Sequence, residues 1–584
     1  MGARGYAQIG LPCPRVANAL YQSMLFRIAL ATLLAYPCLA QDPARIDQIV
    51  QSSVNAQHFM GTVLLARDGQ VLFSKGYGSA NLEWNVPNAP NTKFRLGSVT
   101  KQFTAASILL LEERGKLSVD DPVKKYLPDA PAAWDKITIF HVLTHTSGIP
   151  NFTGFPDYSK LEPFAATPAQ LVDRFRDKPL DFQPGERFSY SNSGYVLLGY
   201  LIEKISGGTY EKFVRENIFT PLGMKDSGYD SNSAVIPNRA DGYVYGRNGY
   251  EHAGFIHMSI PHGAGALYST TEDLLKWELG LFGGKVLRPA SLEKMTKPFK
   301  DNYSFGLVTA TTAGHKVIVH GGGIEGFNTQ VAYSPDGKLT AIALGNVNGP
   351  APGEITTKLI ELGYGVAVKL PGERKEITLD TKVLERYVGA YQLAPGVNML
   401  ITLEGNQLIS KLGNQQPVPM FAESETMFFL KVADAQLEFP KTAAGEKASQ
   451  TILHQNGRDQ TAKRLDDAEA KRVADAAAAV AKRIKDQTAA PGSADALRAM
   501  IEGIRAGKPD YDKMSTGLAN VTRNQLTSLQ ATIVKLGALQ SITFKSVGPA
   551  GPDIYSVKFE NGGLEYRIWL APDGKIESAN VRPE

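Results

Sequence analysis

The sequence predicts an α/β (α+β) domain whose antiparallel sheet is flanked by helices, then a small all-β barrel and a C-terminal α+β domain. Strand-like segments lie at both ends of residues 41–365, with helical and turn-rich segments between them. Short strands separated by turns fill residues 381–466, and helices precede alternating strands in residues 488–584. The 584 residues exceed one compact domain, and the 43% hydrophobic content is ordinary for a globular protein.

The first domain begins with a predicted β-hairpin. Thr62–Ala66 and Val71–Ser74 are strand-like and flank Arg67-Asp68-Gly69-Gln70, a strong turn signal. Strand-like sequence returns between Val317 and Leu344. We therefore expect one sheet assembled from both ends of the domain, with a helical region beside it and a site between the two.

A predicted helix from Ser98 to Arg114 opens with the motif Ser98-Val99-Thr100-Lys101. A serine hydroxyl is a weak nucleophile until a base takes its proton, and a lysine three residues later lies on the same helix face. A lysine base must be neutral, which requires desolvation or cationic neighbours, so we expect a partly closed site. Ser98 at the helix N-terminus also suits stabilisation of an oxyanion, and helix capping is the structural alternative.

Two later motifs complete a candidate serine acyl-transfer site. Tyr190-Ser191-Asn192 follows the turn-rich residues 182–189, which predicts that Tyr190 lies on a loop over the site. Tyr190 suits a proton shuttle if a nearby cation lowers its pKa, and Asn192 suits hydrogen bonds to Lys101 and to a substrate amide. An ordinary core tyrosine is the structural alternative.

The third motif, His320-Gly321-Gly322-Gly323, follows the strand-like Lys316–Val319. Glycines at a strand end let the backbone approach a ligand closely, so this strand edge suits an extended acyl substrate. The Gly323 N–H suits a second oxyanion donor. A glycine-rich turn is the structural alternative.

The three motifs in this order resemble the serine β-lactamase and penicillin-binding protein superfamily, in its class C-like branch. The resemblance covers roughly residues 45–365 and includes four further segments: His141–Pro150, Tyr190–Gly199, Pro221–Met224 and Gly263–Thr270. It implies that Ser98 becomes acylated and that Lys101 and Tyr190 share general acid–base work. It also implies that Asn192 orients the substrate and that the N–H groups of Ser98 and Gly323 form the oxyanion hole.

The third motif departs from the family pattern Lys-Thr-Gly, because His320-Gly321-Gly322 stands there. A lysine supplies a fixed charge near a substrate carboxylate, whereas histidine is mostly neutral near neutral pH. The threonine hydroxyl is missing too. We therefore expect poor cleavage of β-lactams and of peptides ending in a free D-alanine carboxylate, and the His-x-Gly form resembles D-aminopeptidases and related peptidases or esterases.

These features predict a secreted or periplasmic serine hydrolase that cleaves small amides, peptides (D-residue peptides included) or esters through an ester on Ser98. We expect a small-molecule or peptide substrate and no cofactor or metal. Two alternatives stay open: a penicillin-binding-like sensor or scaffold with little turnover, and a true β-lactamase. The sequence does not determine the substrate or the oligomeric state.

The sequence signals for other kinds of functional site are weaker than those for the serine site. His141 and His145 have the spacing of a helical zinc site, but Val142 stands where the metalloprotease motif needs glutamate. No Gly-x-Ser-x-Gly elbow is present. The net charge of +4 comes with no concentrated Lys/Arg stripe, so we expect no nucleic-acid binding.

Residues 1–40 resemble a signal peptide. Ile28–Tyr36 is an apolar segment of the right length, and Cys38-Leu39-Ala40 offers a cleavage site. Met24 is an alternative start. Both cysteines, Cys13 and Cys38, lie in this leader, so we expect no disulfide in the mature protein, and no second long apolar run predicts a membrane span.

Beyond the first domain, residues 366–380 are a linker candidate and residues 467–487 predict a helical spacer. Residues 381–466 resemble a lipocalin-like β domain and contain five predicted strands: Tyr387–Tyr391, Met399–Leu403, Gln407–Lys411, Met427–Leu430 and Gln436–Phe439. Residues 488–584 predict helices over 493–506 and 522–537 and then a β-meander. Its topology resembles the cone-shaped fold of the nuclear transport factor family.

Overall fold

The computed structural model describes Gly2 and residues 42–155, 157–246, 249–394, 396–413, 415–443, 445–455, 458–571 and 573–583. Apart from Gly2, the predicted signal peptide (residues 1–40) lies outside these described residues. Within them, no helix combines the length and apolar character needed to cross a membrane.

A six-stranded antiparallel sheet joins the two ends of the first domain. Its strands are β1 (Gly61–Arg67), β2 (Gln70–Tyr77), β3 (Val308–Thr312), β4 (His315–Ile324), β5 (Phe327–Ser334) and β6 (Leu339–Gly345). Their order is β3-β4-β5-β6-β1-β2. The expected sheet from both ends is therefore confirmed, as is the hairpin, whose turn residues Asp68 and Gly69 both have positive φ.

Helices cover both faces of this sheet. The longer ones are α1 (Pro43–Asn55), α2 (Thr100–Glu113), α3 (Asn192–Ser206), α4 (Thr271–Phe282) and α5 (Ala351–Gly363). Along β1, Val63 and Leu65 face a core shared with α1 and α5, whereas Leu64 and Ala66 face a larger core shared with α2, α3 and α4. The alternation of β1 side chains thus places two cores on opposite faces of one sheet.

Shorter elements fill the helical region between β2 and β3. The helices are Ile139–Leu143, Tyr158–Leu161, Pro168–Arg176, Tyr210–Val214, Thr220–Leu222, His262–Gly265 and Pro289–Thr296. The strands are Ser79–Asn81, Val86–Pro87, Phe94–Arg95, Gly228–Tyr229, Tyr243–Gly246, Gly249–His252 and Leu267–Ser269. Together with α2 and α3, these segments form the wall that faces the sheet edge at β4.

A closed antiparallel barrel follows a short helix, Thr381–Leu384. Its strands are β7 (Gly389–Ala394), β8 (Val397–Glu404), β9 (Gln407–Leu412), β10 (Val418–Ala422), β11 (Met427–Leu430), β12 (Ala435–Glu438), β13 (Gln450–Gln455) and β14 (Arg458–Arg464). The predicted small all-β barrel is confirmed, and β7 closes it by pairing with β14. The sequence did not predict β10, β13 and β14, because Pro419 interrupts the first and the other two are rich in polar residues.

The C-terminal residues form helices and a four-stranded antiparallel sheet. These are α6 (Asp467–Asp486), α7 (Ser493–Arg505), α8 (Thr516–Leu536), β15 (Leu539–Val547), β16 (Asp553–Phe559), β17 (Gly562–Leu570) and β18 (Ile576–Pro583). The α8 helix starts six residues before its predicted start, because the Ser515 side chain caps it by accepting the Leu518 N–H at 3.2 Å. The resemblance to the nuclear transport factor cone stays a prediction, as do the domain boundaries.

Charged contacts connect the barrel to the first domain. Asp434, which precedes β12, accepts hydrogen bonds from Lys358 of α5 at 2.7 Å and from Arg374 of the predicted linker at 2.8 Å. Arg45 of α1 also pairs with Glu373 of that linker. The Asp434 contacts hold the barrel near β3 and β4, whose residues line cavities together with barrel residues.

Candidate active site

Ser98 lies in a 3₁₀ turn, Gly97–Val99, that leads into the buried helix α2. The sequence predicts a helix that starts at Ser98, whereas in the structure α2 begins at Thr100. Gly97 has φ +53°, and a Cβ atom there would lie 2.9 Å from the Gly323 nitrogen. This contact brings the serine turn against the glycine run of β4, as the oxyanion-hole expectation requires.

Lys101 is fully buried, and its Nζ has three neighbours within hydrogen-bond distance. They are Ser98 Oγ at 2.8 Å, Asn192 Oδ1 at 2.9 Å and the Ala264 carbonyl oxygen at 2.9 Å. Burial lowers the pKa of Lys101 well below its ordinary value. In the neutral form that this lowered pKa favours, the amine has two N–H donors and one lone pair, so it can donate to the two carbonyl oxygens and accept a hydrogen bond from the Ser98 hydroxyl.

Tyr190 lies on the loop before α3, and Ser98 is one of its side-chain neighbours. Its ring centroid is 4.9 Å from Lys101 Nζ. Burial raises the Tyr190 pKa above its ordinary value, and the neighbouring Ser98 hydroxyl only partly opposes this effect. The sequence predicts a proton shuttle on the condition that a nearby cation lowers the Tyr190 pKa, and this condition is not met. Tyr190 is therefore a neutral phenol that can donate or relay a proton.

Asn192 is the first residue of α3 and fixes the lysine. Its Oδ1 accepts from Lys101, and its Nδ2 donates to Thr153 Oγ1 at 3.2 Å. The Asn192 backbone N–H donates to Asn151 Oδ1 at 3.0 Å. Because both ends of the side-chain amide are engaged, Asn192 holds Lys101 toward Ser98, and the predicted Asn192–Lys101 hydrogen bond is present.

The glycines of the third motif lie within β4, which continues to Ile324. A Cβ atom on Gly322 would lie 1.9 Å from the Leu96 carbonyl oxygen and 2.4 Å from Thr329 Oγ1. Thr329 Oγ1 itself donates to that carbonyl at 2.7 Å. Glycine at position 322 is thus required by the close approach of β4 to the segment that carries Ser98.

We expect Gly322→Ala to lower the free energy of unfolding by about 1–3 kcal/mol, because backbone rather than a flexible side chain blocks the new methyl group. Turnover should fall as the Ser98 turn is displaced. Urea unfolding curves and initial rates measure both effects. Gly321→Ala is the matched control, since its Cβ would clash with the flexible side chain of Gln330, whose Oε1 lies at 2.6 Å, while the nearest backbone atom, the Thr329 oxygen, lies at 3.6 Å. Equal destabilisation by the two substitutions would contradict this account.

His320 is 5% exposed and neutral. Burial lowers its pKa to about 3, and the neighbouring Lys101 acts in the same direction. Its Nδ1 lies 2.7 Å from the Gly321 carbonyl oxygen, which assigns the proton to Nδ1, and its Nε2 then accepts from the Tyr303 hydroxyl at 3.1 Å. His320 therefore supplies no positive charge to a substrate.

Three contributors to the site were not identified from the sequence. The Ala264 carbonyl and Tyr303 carry no motif signal of their own, although Ala264 lies in a segment that matches the family. His145 was considered as a metal ligand, but its Nδ1 accepts the Ser191 N–H at 3.2 Å, and its ring centroid lies 4.4 Å from that of Tyr190. His141 accepts the Thr138 N–H at 3.2 Å in a helix cap. Both histidines thus support backbone near the site.

Two cavities meet at Ser98 and Gly323. The larger, 770 Å³, runs along β4 and β5 past His320 and reaches Gln455 and Gln460 of the barrel. The smaller, 210 Å³, is enclosed by residues that include Asn192, Thr153 and Glu325. Among the described residues that line them, no lysine or arginine occurs. A covalent intermediate on Ser98 therefore has separate room for its acyl group and for a leaving group.

A serine beside a buried lysine, between a helical wall and an antiparallel sheet, defines a serine hydrolase of the acyl-transfer type. Residues 46–364 match the family model described as Beta-lactamase, and the chain belongs to this family. Residues 373–464 match a second model, described as a domain of unknown function (DUF3471).

Related proteins agree with this assignment. "Penicillin-binding protein 4*" of Bacillus subtilis is 31% identical over 73% of this chain and 100% of its own length. "Teichoic acid D-alanine hydrolase" of Staphylococcus aureus is 30% identical over 47% of this chain and 68% of its own length. Among solved structures, the octameric penicillin-binding protein homologue from Pyrococcus abyssi is 26% identical, covers 72% of this chain and 100% of its own, and has a TM-score of 0.52.

Proposed function

We propose that this protein is a secreted hydrolase that cleaves small D-aminoacyl esters or amides through an acyl-enzyme on Ser98. The observation that carries the proposal is the 2.8 Å approach of the Lys101 amine to the Ser98 hydroxyl. Full burial of the amine favours the neutral, basic form that this role requires. Secretion rests on the signal-peptide character of residues 1–40.

In the proposed reaction, Lys101 takes the Ser98 proton as Oγ attacks the substrate carbonyl carbon. The N–H groups of Ser98 and Gly323 bind the resulting oxyanion. Tyr190 delivers a proton to the leaving alcohol or amine as its bond to the carbonyl carbon breaks. Lys101 returns its proton to Tyr190, which resets the pair. Water then attacks the Ser98 ester carbonyl carbon, the Lys101–Tyr190 pair takes one of its protons, and the pair passes that proton to Ser98 Oγ as the bond between Oγ and the acyl carbon breaks and the acid leaves.

The charge of the residues that line the two cavities supports a substrate without a free carboxylate. A β-lactam or a peptide ending in D-alanine carries a carboxylate, and the two cavities lack a lysine or arginine among their described lining residues. The neutral imidazole of His320 offers no substitute. A D-alanyl ester has no free carboxylate. The relative from Staphylococcus aureus is named as a teichoic acid D-alanine hydrolase, which supports a D-alanyl substrate.

A panel of four substrates tests the proposal. D-alanine methyl ester and D-alanine amide should be hydrolysed, whereas a peptide ending in D-Ala-D-Ala with a free carboxylate and a chromogenic cephalosporin should react slowly. Ser98→Ala serves as the blank. Fastest turnover of the cephalosporin would instead identify a β-lactamase, and no Ser98-dependent turnover of any substrate would favour a sensor or scaffold.

A further inference from the structure

The small cavity beside Ser98 contains a carboxylate that the proposed reaction does not use. Glu325 and Gly326 form the two-residue turn between β4 and β5, where Ile324 pairs with Phe327. Glu325 lines the same 210 Å³ cavity as Ser98. The carboxylate is therefore carried by the strand whose glycine run meets the nucleophile turn.

This turn is held in place by its surroundings. The Gly326 N–H donates to Asn348 Oδ1 at 2.8 Å, and Asn348 Nδ2 donates to the Ile324 carbonyl at 3.0 Å. Gly326 has φ +79°, and a Cβ atom there would lie 2.4 Å from the Gly242 Cα. One side chain thus clamps both ends of the turn, which restricts where the Glu325 carboxylate can lie.

The carboxylate is incompletely satisfied. Its Oε2 is buried without a hydrogen-bond partner among the described residues. Arg95 and Arg239 line a neighbouring cavity that Glu325 also lines, but both arginines pair with Asp230. A buried charged oxygen without a donor is costly, so such an atom in a cavity indicates a missing partner. Burial and the charge of Glu325 together raise the pKa of the nearby Glu162 and Tyr158. The charge of Glu325 is therefore felt by the groups beside it.

The remaining walls suit a small acyl group. Phe152, Ile256, Pro261 and Ile324 supply apolar surface, and the raised pKa of Tyr158 keeps that phenol neutral. Glu325 is then the only carboxylate among the described residues that line the cavity, and these residues include no lysine or arginine.

We infer that Glu325 binds the ammonium group of an α-aminoacyl substrate, which places the aminoacyl group in the small cavity and the leaving group in the larger one. The inference rests on the proposed function and deepens it, because it names the charge that distinguishes a D-alanyl group from an ordinary short acyl group. An ammonium donor would satisfy Oε2 in the bound state.

Two esters that differ in the ammonium group test the inference: D-alanine methyl ester and methyl propionate. Wild type should prefer the alanine ester. Glu325→Gln should lower kcat/KM for that ester by about 10- to 100-fold, mainly through KM, the range expected for a hydrogen bond to a charged group. It should leave methyl propionate unchanged. Glu162→Gln is the matched control, because that carboxylate lies nearby but does not line the cavity, and it should change neither ester.

Each other outcome has a distinct meaning. Equal loss on both esters, or no loss on either, would overturn the role of Glu325 while leaving Ser98-dependent hydrolysis intact. Wild type that hydrolyses neither ester would overturn the proposed function itself. Thermal unfolding monitors whether Glu325→Gln folds. If it does not, wild-type enzyme that prefers methyl propionate would still overturn the inference.

Discussion

Replacement of Ser98 by alanine should abolish covalent labelling and reduce turnover by at least about 10,000-fold, the scale on which loss of a serine nucleophile acts. The variant removes the hydroxyl that lies 2.8 Å from the Lys101 amine. Intact-protein mass after incubation with a fluorophosphonate should show one serine-dependent adduct on wild type and none on Ser98→Ala. Hydrolysis of D-alanine methyl ester should fall in parallel.

Ser107→Ala is the matched control for this experiment. Ser107 lies on the same helix, is buried, and donates to the Phe103 carbonyl at 2.7 Å, and it lines neither cavity. Its removal should leave labelling and turnover intact. An adduct on Ser98→Ala, or near wild-type turnover by it, would assign the nucleophile to another residue. A parallel incubation with penicillin reports whether the site accepts a carboxylate-bearing β-lactam.

Local sequence signals predict the elements that surround Ser98. The apolar spacing after Ser98 predicts α2, the Asp68-Gly69 turn predicts the β1–β2 hairpin, and the turn-rich residues 182–189 predict the loop that carries Tyr190. These features depend on residues adjacent in sequence, so periodicity and turn chemistry suffice. The family resemblance then relates the three motifs, which no periodicity connects.

Features that depend on tertiary contact could not be predicted in this way. The Ala264 carbonyl that accepts from Lys101 is 163 residues away, and any residue type supplies such an oxygen. Tyr303 reaches His320 only because β3 and β4 bring the two together. The sequence predicts no more than an ordinary turn at Glu325. Only the β4–β5 hairpin places this residue in the cavity that Ser98 also lines. The raised pKa of Tyr190 likewise follows from burial, which the sequence does not reveal.

Replacement of Lys101 by methionine should lower kcat/KM by at least about 100-fold, the usual scale for a general base. Methionine is unbranched and apolar, so it fills the space of the buried side chain without the amine. Lys93→Met is the matched control, since Lys93 is 9% exposed but pairs with Asp226 at 3.0 Å. This control should retain activity. Comparable losses in both variants would indicate a general effect of removing buried lysines.

The pH dependence of stability tests the same lysine without a substrate. Lys101 has a lowered pKa in the folded protein, so the unfolded chain binds a proton at pH values where the folded protein does not. As pH falls below the ordinary lysine value of 10.5, wild type should therefore lose stability relative to Lys101→Met, by up to about 1.4 kcal/mol per pH unit, until the folded-state pKa is reached. Activity should follow the same ionisation. As the pH is lowered, kcat/KM of wild type should fall only near the lowered pKa of Lys101, because the amine stays neutral above that pH. Urea unfolding at several pH values measures the stability difference, and a difference that is constant with pH would contradict a neutral, buried Lys101 and hence its role as the base.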